Sequence, residues 1–328
     1  MEEQTAVRDR TMLYVILSFT VAFVLGFALP VCSCLGTGVW AFNGMARFVE
    51  GAEPSTGGGF GDAVAVIRLD GVIGSGGDPL TGQGITPEGV DQLLAQAAAD
   101  PTIKAVVVRV NSPGGGVVAS DRIYHALQDF DKPVVVWMDE TAASGGYYIA
   151  CGADHVYAHP NTLTGSIGVI SQFFNAEELL DEIGVDVVVI TSGPRKDIGS
   201  TFRDMTAEER AIWQAIIDET YEQFVTVVAD ARGLSLEDVR ELADGSVYTG
   251  QQALELGLVD DLGLLEDAID KAAQLGGISG TLRVVELESV PSLLESLTEF
   301  QSSSSMPTLE EVLNWAGVPS LEYRFAGP

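Results

Sequence analysis

The chain has 328 residues, 46% of them hydrophobic and 20% charged, which is the composition of a large folded unit and not of a disordered segment. Its 47 acidic residues outnumber 17 basic ones, giving a formal net charge of −30, and this excludes a surface built to hold the phosphates of nucleic acid. Three cysteines (Cys32, Cys34, Cys151) and three histidines (His125, His155, His159) fall in no metal-binding spacing, so a disulfide scaffold, a zinc centre and a cofactor are all unexpected. Such acidity repels itself at low salt and suits concentrated salt, where the Debye length is about 3 Å at 1 M. A salt-loving source is expected.

In chain order, residues 1–10 carry Arg8 and Arg10 and precede a stretch, Thr11 to Ala46, with no charged side chain. Residues 11–35 are mostly Leu, Val, Phe, Ile and Ala and approach the ~20 apolar residues that cross a bilayer, so one transmembrane anchor is expected there. Two arginines before it and only Arg47 closely after it put the N-terminus in the cytoplasm and the remainder outside the cell membrane. The competing reading is a cleaved signal peptide, whose apolar region is shorter, about 7–15 residues. Val31–Cys34 is similar to a lipidation site, which also tethers a chain. Residues 36–61, rich in Gly, Pro and Ser from Gly51 onward, read as a linker. The folded domain is expected over 62–290, and an acidic tail over 291–328 that packs on a neighbour or stays mobile.

Within the domain, strands are predicted at Ala63–Leu69, Ile103–Val110, Pro133–Met138, His155–Ala158 and Val185–Thr191. Helices are predicted at Pro87–Ala99 with Thr86 as cap, Ser120–Phe130, Ser144–Cys151 and Ala176–Ile183, and then at Thr206–Arg232, Ser235–Ala243, Gln251–Gly257 and Leu264–Leu275. The early alternation of strand and helix predicts βαβ crossovers and a parallel sheet, an α/β fold. No internal duplication is visible, so one catalytic unit is expected.

Three glycine-flanked segments could carry chemistry. Asn111–Gly116 joins a strand to a helix, and its glycines let backbone amides face a ligand or simply make a turn. Ser144, in Thr141–Tyr148, sits at a helix N-terminus, where it is either an N-cap or a nucleophile. Two helix-opening glycines after it cost helical stability and favour something that needs close approach. Ser166 lies between Gly165 and Ile167 as a hydroxyl that orients a base or as part of a turn. The base is the harder part. No histidine has a neighbourhood that singles it out, whereas Lys196 is one of only four lysines (with Lys104, Lys132 and Lys271) and lies in a loop before the long helix. A lysine kept neutral by burial and a nearby cation can take a proton; Arg195 acts in that direction and Asp197 against it.

Taken in order, Asn111–Gly115, Ser144–Tyr148, Gly165–Val169, Gly193-x-x-Lys196 with Met205-Thr206-x-Glu208-Glu209-Arg210, and Gly250–Asp260 resemble the signal peptide peptidase A family of membrane serine proteases. The resemblance covers roughly Val64 to Ala273 and implies the Clp protease/crotonase fold, a spiral of βαβ units. It implies Ser144 as nucleophile, Lys196 as general base, Ser166 as the lysine's hydrogen-bond partner and the backbone of Gly114 and Gly115 as oxyanion hole. It further implies hydrophobic peptide substrates such as released signal peptides, and a homo-oligomer, an octameric dome whose sites take serine and lysine from adjacent protomers. A stomatin-processing protease of the same fold is the nearer alternative. A crotonase-type acyl-CoA enzyme is the more distant one, needing neither a serine-lysine pair nor an anchor and poorly served by so acidic a chain.

Overall fold

A computed structural model describes residues 61–74, 84–288 and 322–325. The predicted anchor at 11–35, the linker and most of the tail lie outside these residues. Among the described residues no helix is long and apolar enough to cross a membrane.

Strand β1 (Ala63–Asp70) pairs in parallel with β2 (Ile103–Ser112), and β2 with β4 (Val134–Ala143). Further parallel partners of β4 are β5 (His155–Ala158) and β6 (Leu163–Gly165), while β9 (Arg283–Leu287) closes the other side against β1. The sheet is not wholly parallel, because β7 (Val247–Thr249) runs antiparallel to β6; β8 (Asp261–Leu262) pairs with β5. The near-continuous apolar runs of the central strands are buried on both faces, as a covered parallel sheet requires. Alternation divides them. Ala63, Ala65 and Ile67 join Val106, Val108, Val134 and Val136 in the larger core, whereas Val64, Val66, Ala105, Val107, Val135 and Trp137 face Ala268 and Ala272 on the opposite side.

The helices are α1 (Pro87–Ala99), α2 (Val117–Gln128), α3 (Gly145–Ala150), α4 (Glu177–Glu182), α5 (Ala207–Arg232), α6 (Leu236–Leu242), α7 (Gly250–Glu255) and α8 (Leu265–Leu275). Thr86 caps α1 by accepting from Gly89 N at 3.1 Å. Helix α5 opens with a reciprocal capping box of Thr206 and Glu209 and stops at Gly233, φ 65°.

Two expectations fail. Val185–Thr191 forms no strand: Val188 and Ile190 are 83% and 93% exposed, and no described strand edge pairs with them. β-branched residues favour a strand only where a neighbouring edge and a face to pack on exist, and here neither does. The tail is also not wholly separate from the domain, since Glu322–Arg324 forms β10, antiparallel to β3 (Gly114–Gly116).

Candidate active site

Ser144 stands where β4 ends and α3 begins, almost wholly buried, with φ 53° and ψ −115°. A non-glycine residue at positive φ costs on the order of 1–3 kcal/mol and persists only where its surroundings fix it. Here they do. Its N–H donates to the Gly165 carbonyl at 2.7 Å, and its own carbonyl accepts from Tyr148 N at 2.8 Å in the first turn of α3. Helix α3 is anchored in turn by buried tyrosines: Tyr147 Oη donates to the Leu258 carbonyl (2.9 Å) and Tyr148 Oη to Asp121 Oδ1 (2.7 Å). The Gly250–Asp260 segment thus supports α3 from beneath. Arg232, near the end of α5, holds that segment in place by donating to Asp260 at 2.7 and 3.1 Å and to the Gly257 carbonyl at 3.0 Å.

Beside Ser144 lies β3. A Cβ on Gly114 would fall 2.0 Å from the Tyr323 carbonyl oxygen and 2.6 Å from Gly145 N; one on Gly145 would fall 2.9 Å from the same oxygen and 3.1 Å from Gly115 N. Only glycine permits this approach at Gly145, and a Cβ on Gly146 would fall 2.7 Å from the Ser112 carbonyl oxygen, which explains the two consecutive glycines after Ser144. Phe325 N donates to the Pro113 carbonyl at 2.7 Å. Hydrogen-bonded pairs recur at every second residue of an antiparallel ladder, so the Tyr323–Gly115 pair is of the same type and the Gly115 N–H faces the Tyr323 carbonyl. Gly114 behaves differently, because its N–H donates to Ser112 Oγ at 3.1 Å. The amide facing the Tyr323 carbonyl is therefore that of Gly115, and the Gly145 backbone packs close beside it.

Ser166 follows the Gly165 that holds Ser144, is itself at positive φ (49°), and donates its N–H to the Ser246 carbonyl at 2.7 Å. It is 9% exposed. Lys196 lies in an exposed turn, and among the described residues its ammonium makes no side-chain hydrogen bond or ion pair, nor does it meet Ser144. Its neighbour Asp197 is fixed by Arg203, which also clamps Glu209 at the start of α5 through bonds of 2.6–2.9 Å. Hydrogen bonds from Arg203, then from Thr206, hold the Glu209 carboxyl at about 2, below its ordinary 4.5.

The histidines are occupied elsewhere. His155 Nε2 is 3.0 Å from Asp261 Oδ2, His159 Nδ1 accepts from Asn161 N at 3.2 Å, and His125 lies exposed near Asp121. Burial pushes the Cys151 thiol up to about 12, so it is no nucleophile at neutral pH. No cluster of His, Cys, Asp and Glu able to hold a metal occurs among the described residues.

Residues 126–279 match the model of peptidase family S49, and residues 81–164 match that of Clp protease. A putative protease of Synechocystis sp. is 42% identical over 259 residues, 77% of this chain and 90% of that protein. Protease 4 of Salmonella typhi is 36% identical over 256 residues, 77% of this chain but 41% of that protein. A putative signal peptide peptidase SppA of Enterococcus faecium is 42% identical over 180 residues, 54% of this chain and 52% of that protein. The chain thus spans about half or less of the last two. With an α/β fold of Clp protease type and a relative matched over nine-tenths of its length, the chain belongs to peptidase family S49.

Proposed function

We propose that the chain is a membrane-anchored serine endopeptidase that degrades hydrophobic peptides such as cleaved signal peptides, with Ser144 as nucleophile and Lys196 as general base. The observation that carries this reading is a buried serine held at positive φ at the start of α3, packed beside the glycine strand β3. Ser144 Oγ bonds to the peptide carbonyl carbon and its proton passes to neutral Lys196. The oxygen, now an anion, is held by backbone amides, that of Gly115 among them, each worth about 3–4 kcal/mol in comparable sites. Lysine returns the proton to the departing amine, and water then hydrolyses the acyl-enzyme. Ser166 orients the lysine by a hydrogen bond.

Ser144 and Lys196 do not meet within one chain, so the site is completed by a neighbouring protomer. The exposed run Val185–Ile190, beside the Lys196 turn, is an apolar surface of the kind that assembly covers. The uncharged stretch from Thr11 supplies the anchor, with the N-terminus cytoplasmic and the peptidase outside. Names borne by relatives, protease 4 and signal peptide peptidase, favour this substrate class over the alternatives.

The test is labelling of the purified chain in high salt with a fluorophosphonate. Ser144 should be the labelled residue and Ser144→Ala should take no label; a label on another residue, or undiminished labelling of the variant, refutes the assignment.

A further inference from the structure

We propose that a groove between the start of α5 and the segment before α4 holds the free carboxyl end of a hydrophobic peptide substrate, with Arg210 as its anion receptor and aromatic rings as its floor. The proposal rests on the peptidase reading of Ser144 and Lys196 and adds which end of the substrate the enzyme recognises.

Arg210, Trp213, Gln214 and Ile217 stand at i, i+3, i+4 and i+7 of α5 and so share one face of that helix. That face lines a groove of about 430 Å³ whose other wall carries Phe173, Phe174 and Met205. The Phe173 ring meets Trp213 edge-on at 5.0 Å, and Phe174 is 61% exposed. A concavity of this size, apolar with a few polar groups, suits the end of a peptide and not a folded partner.

Arg210 supplies the charge. Among the described residues its guanidinium makes no hydrogen bond or ion pair, whereas every other arginine there is bonded to a carboxylate, a hydroxyl or a carbonyl. In a chain with 47 acidic side chains against 17 basic ones, an unpaired arginine is unexpected. It also stands in the first turn of α5, where the helix dipole disfavours a cation. The groove's own carboxylate, Asp204, accepts from Asn175 Nδ2 at 2.6 Å and does not neutralise it. One turn on, the buried Trp213 indole N–H has no acceptor either, a shortage that native interiors rarely carry. A planar guanidinium donates two parallel hydrogen bonds to a carboxylate, and the rings beside it take the apolar side chains that precede such an end.

Asp204 lines both this groove and the hollow around Lys196. The protomer that returns the proton to the departing amine therefore also holds the far end of the departing fragment. A released hydrophobic peptide offers a free carboxyl end there, and the same sequence inside a longer chain does not. Recognition of the end thus favours peptides already set free.

Two measurements in molar salt test this: hydrolysis of one hydrophobic peptide ending in a free acid or in an amide, and binding of fluorescein-tagged forms of both to Ser144→Ala, read by anisotropy. For wild type, KM should be about tenfold lower for the acid with kcat unchanged, and the Kd values of Ser144→Ala should show the same preference. Arg210→Gln should remove the difference by raising the KM of the acid to that of the amide. Arg210→Lys, which keeps the charge but not the fork, should keep about threefold of it. Equal constants for acid and amide, or a preference that survives Arg210→Gln, overturn the proposal and leave the peptidase reading standing. An Arg210→Gln chain that sediments as a smaller species gives the groove to a second copy and likewise overturns it. Binding that separates acid from amide in a protein that hydrolyses neither overturns the peptidase reading and keeps the groove as a carboxylate receptor. A protein that neither binds nor hydrolyses either peptide overturns both.

Discussion

Ser144 and Gly165 are joined by one backbone hydrogen bond of 2.7 Å, and it couples the two strained serines of the site. Gly165 accepts from Ser144 N and is followed by Ser166, so the register of β6 against β4 sets the conformation of both hydroxyl-bearing residues. Strain at Ser144 is therefore held from the neighbouring strand and not from its own helix, whose six residues are too few to impose it.

Gly165→Ala should disrupt this coupling. Gly165 has φ 75°, and a Cβ there would lie 2.5 Å from the Tyr248 ring and 3.1 Å from the Ser246 carbonyl. Strain and clash together should cost about 1–3 kcal/mol, read as a lower thermal unfolding midpoint, and fluorophosphonate labelling of Ser144 should slow by at least tenfold. Unchanged labelling would mean that the β6 register does not govern Ser144.

Lys196→Arg should abolish turnover and leave stability within about 0.5 kcal/mol of wild type, because arginine stays charged and an exposed side chain with no partner among the described residues contributes little to stability. If protomers share sites, co-expressing Ser144→Ala with Lys196→Ala chains should restore part of the activity that each lacks alone. Turnover by Lys196→Arg at the wild-type rate defeats the lysine assignment; two variants that never complement place serine and lysine in one chain.

Salt should govern the state of the protein. With 47 carboxylates against 17 cations, self-repulsion is screened only within a short Debye length, about 3 Å at 1 M and 10 Å at 0.1 M. Sedimentation across a salt series should show dissociation or unfolding below roughly molar salt. A constant sedimentation coefficient down to millimolar salt contradicts this.

Strands β1, β2, β4 and β5 and the helix caps at Thr86, Thr206 and Gly233 were legible because each rests on local signals: unbroken apolar runs, a capping hydroxyl, a glycine stop. Strands β3, β6, β7 and β8 were not, since two or three residues carry no period and owe their pairing to partners far along the chain. Val185–Ile190 shows the converse, strong local propensity without an edge to satisfy it. At the site, Ser144 could be singled out from the glycines that follow it, but the close packing of Gly114 and of Gly145 on Tyr323 could not. Both depend on a strand more than 170 residues beyond the serine.

Arg203 offers the last prediction, because it ties the Lys196 turn to the start of α5. It donates to both oxygens of Asp197, next to Lys196, and to both oxygens of the nearly buried Glu209. Arg203→Ala should therefore lower kcat at least tenfold with little change in KM, since the lysine loses its anchor while Ser144 and the β3 strand beside it are untouched. The same clamp fixes an acid limb. Glu209 titrates at about 2 in the folded chain against an ordinary 4.5, and Asp197 is also held below its usual 3.8, in both cases chiefly by hydrogen bonds from Arg203. A depressed carboxyl binds its proton more readily in the unfolded state, so its stabilisation is fully present above about 4.5 and is lost as pH falls toward about 2. The unfolding midpoint of wild type should exceed that of Glu209→Gln at pH 7, and the gap should narrow steadily over this window. A gap that stays constant from pH 7 to pH 2 would show that Glu209 acts through packing alone, and an Arg203→Ala variant with wild-type kcat would detach the clamp from the lysine.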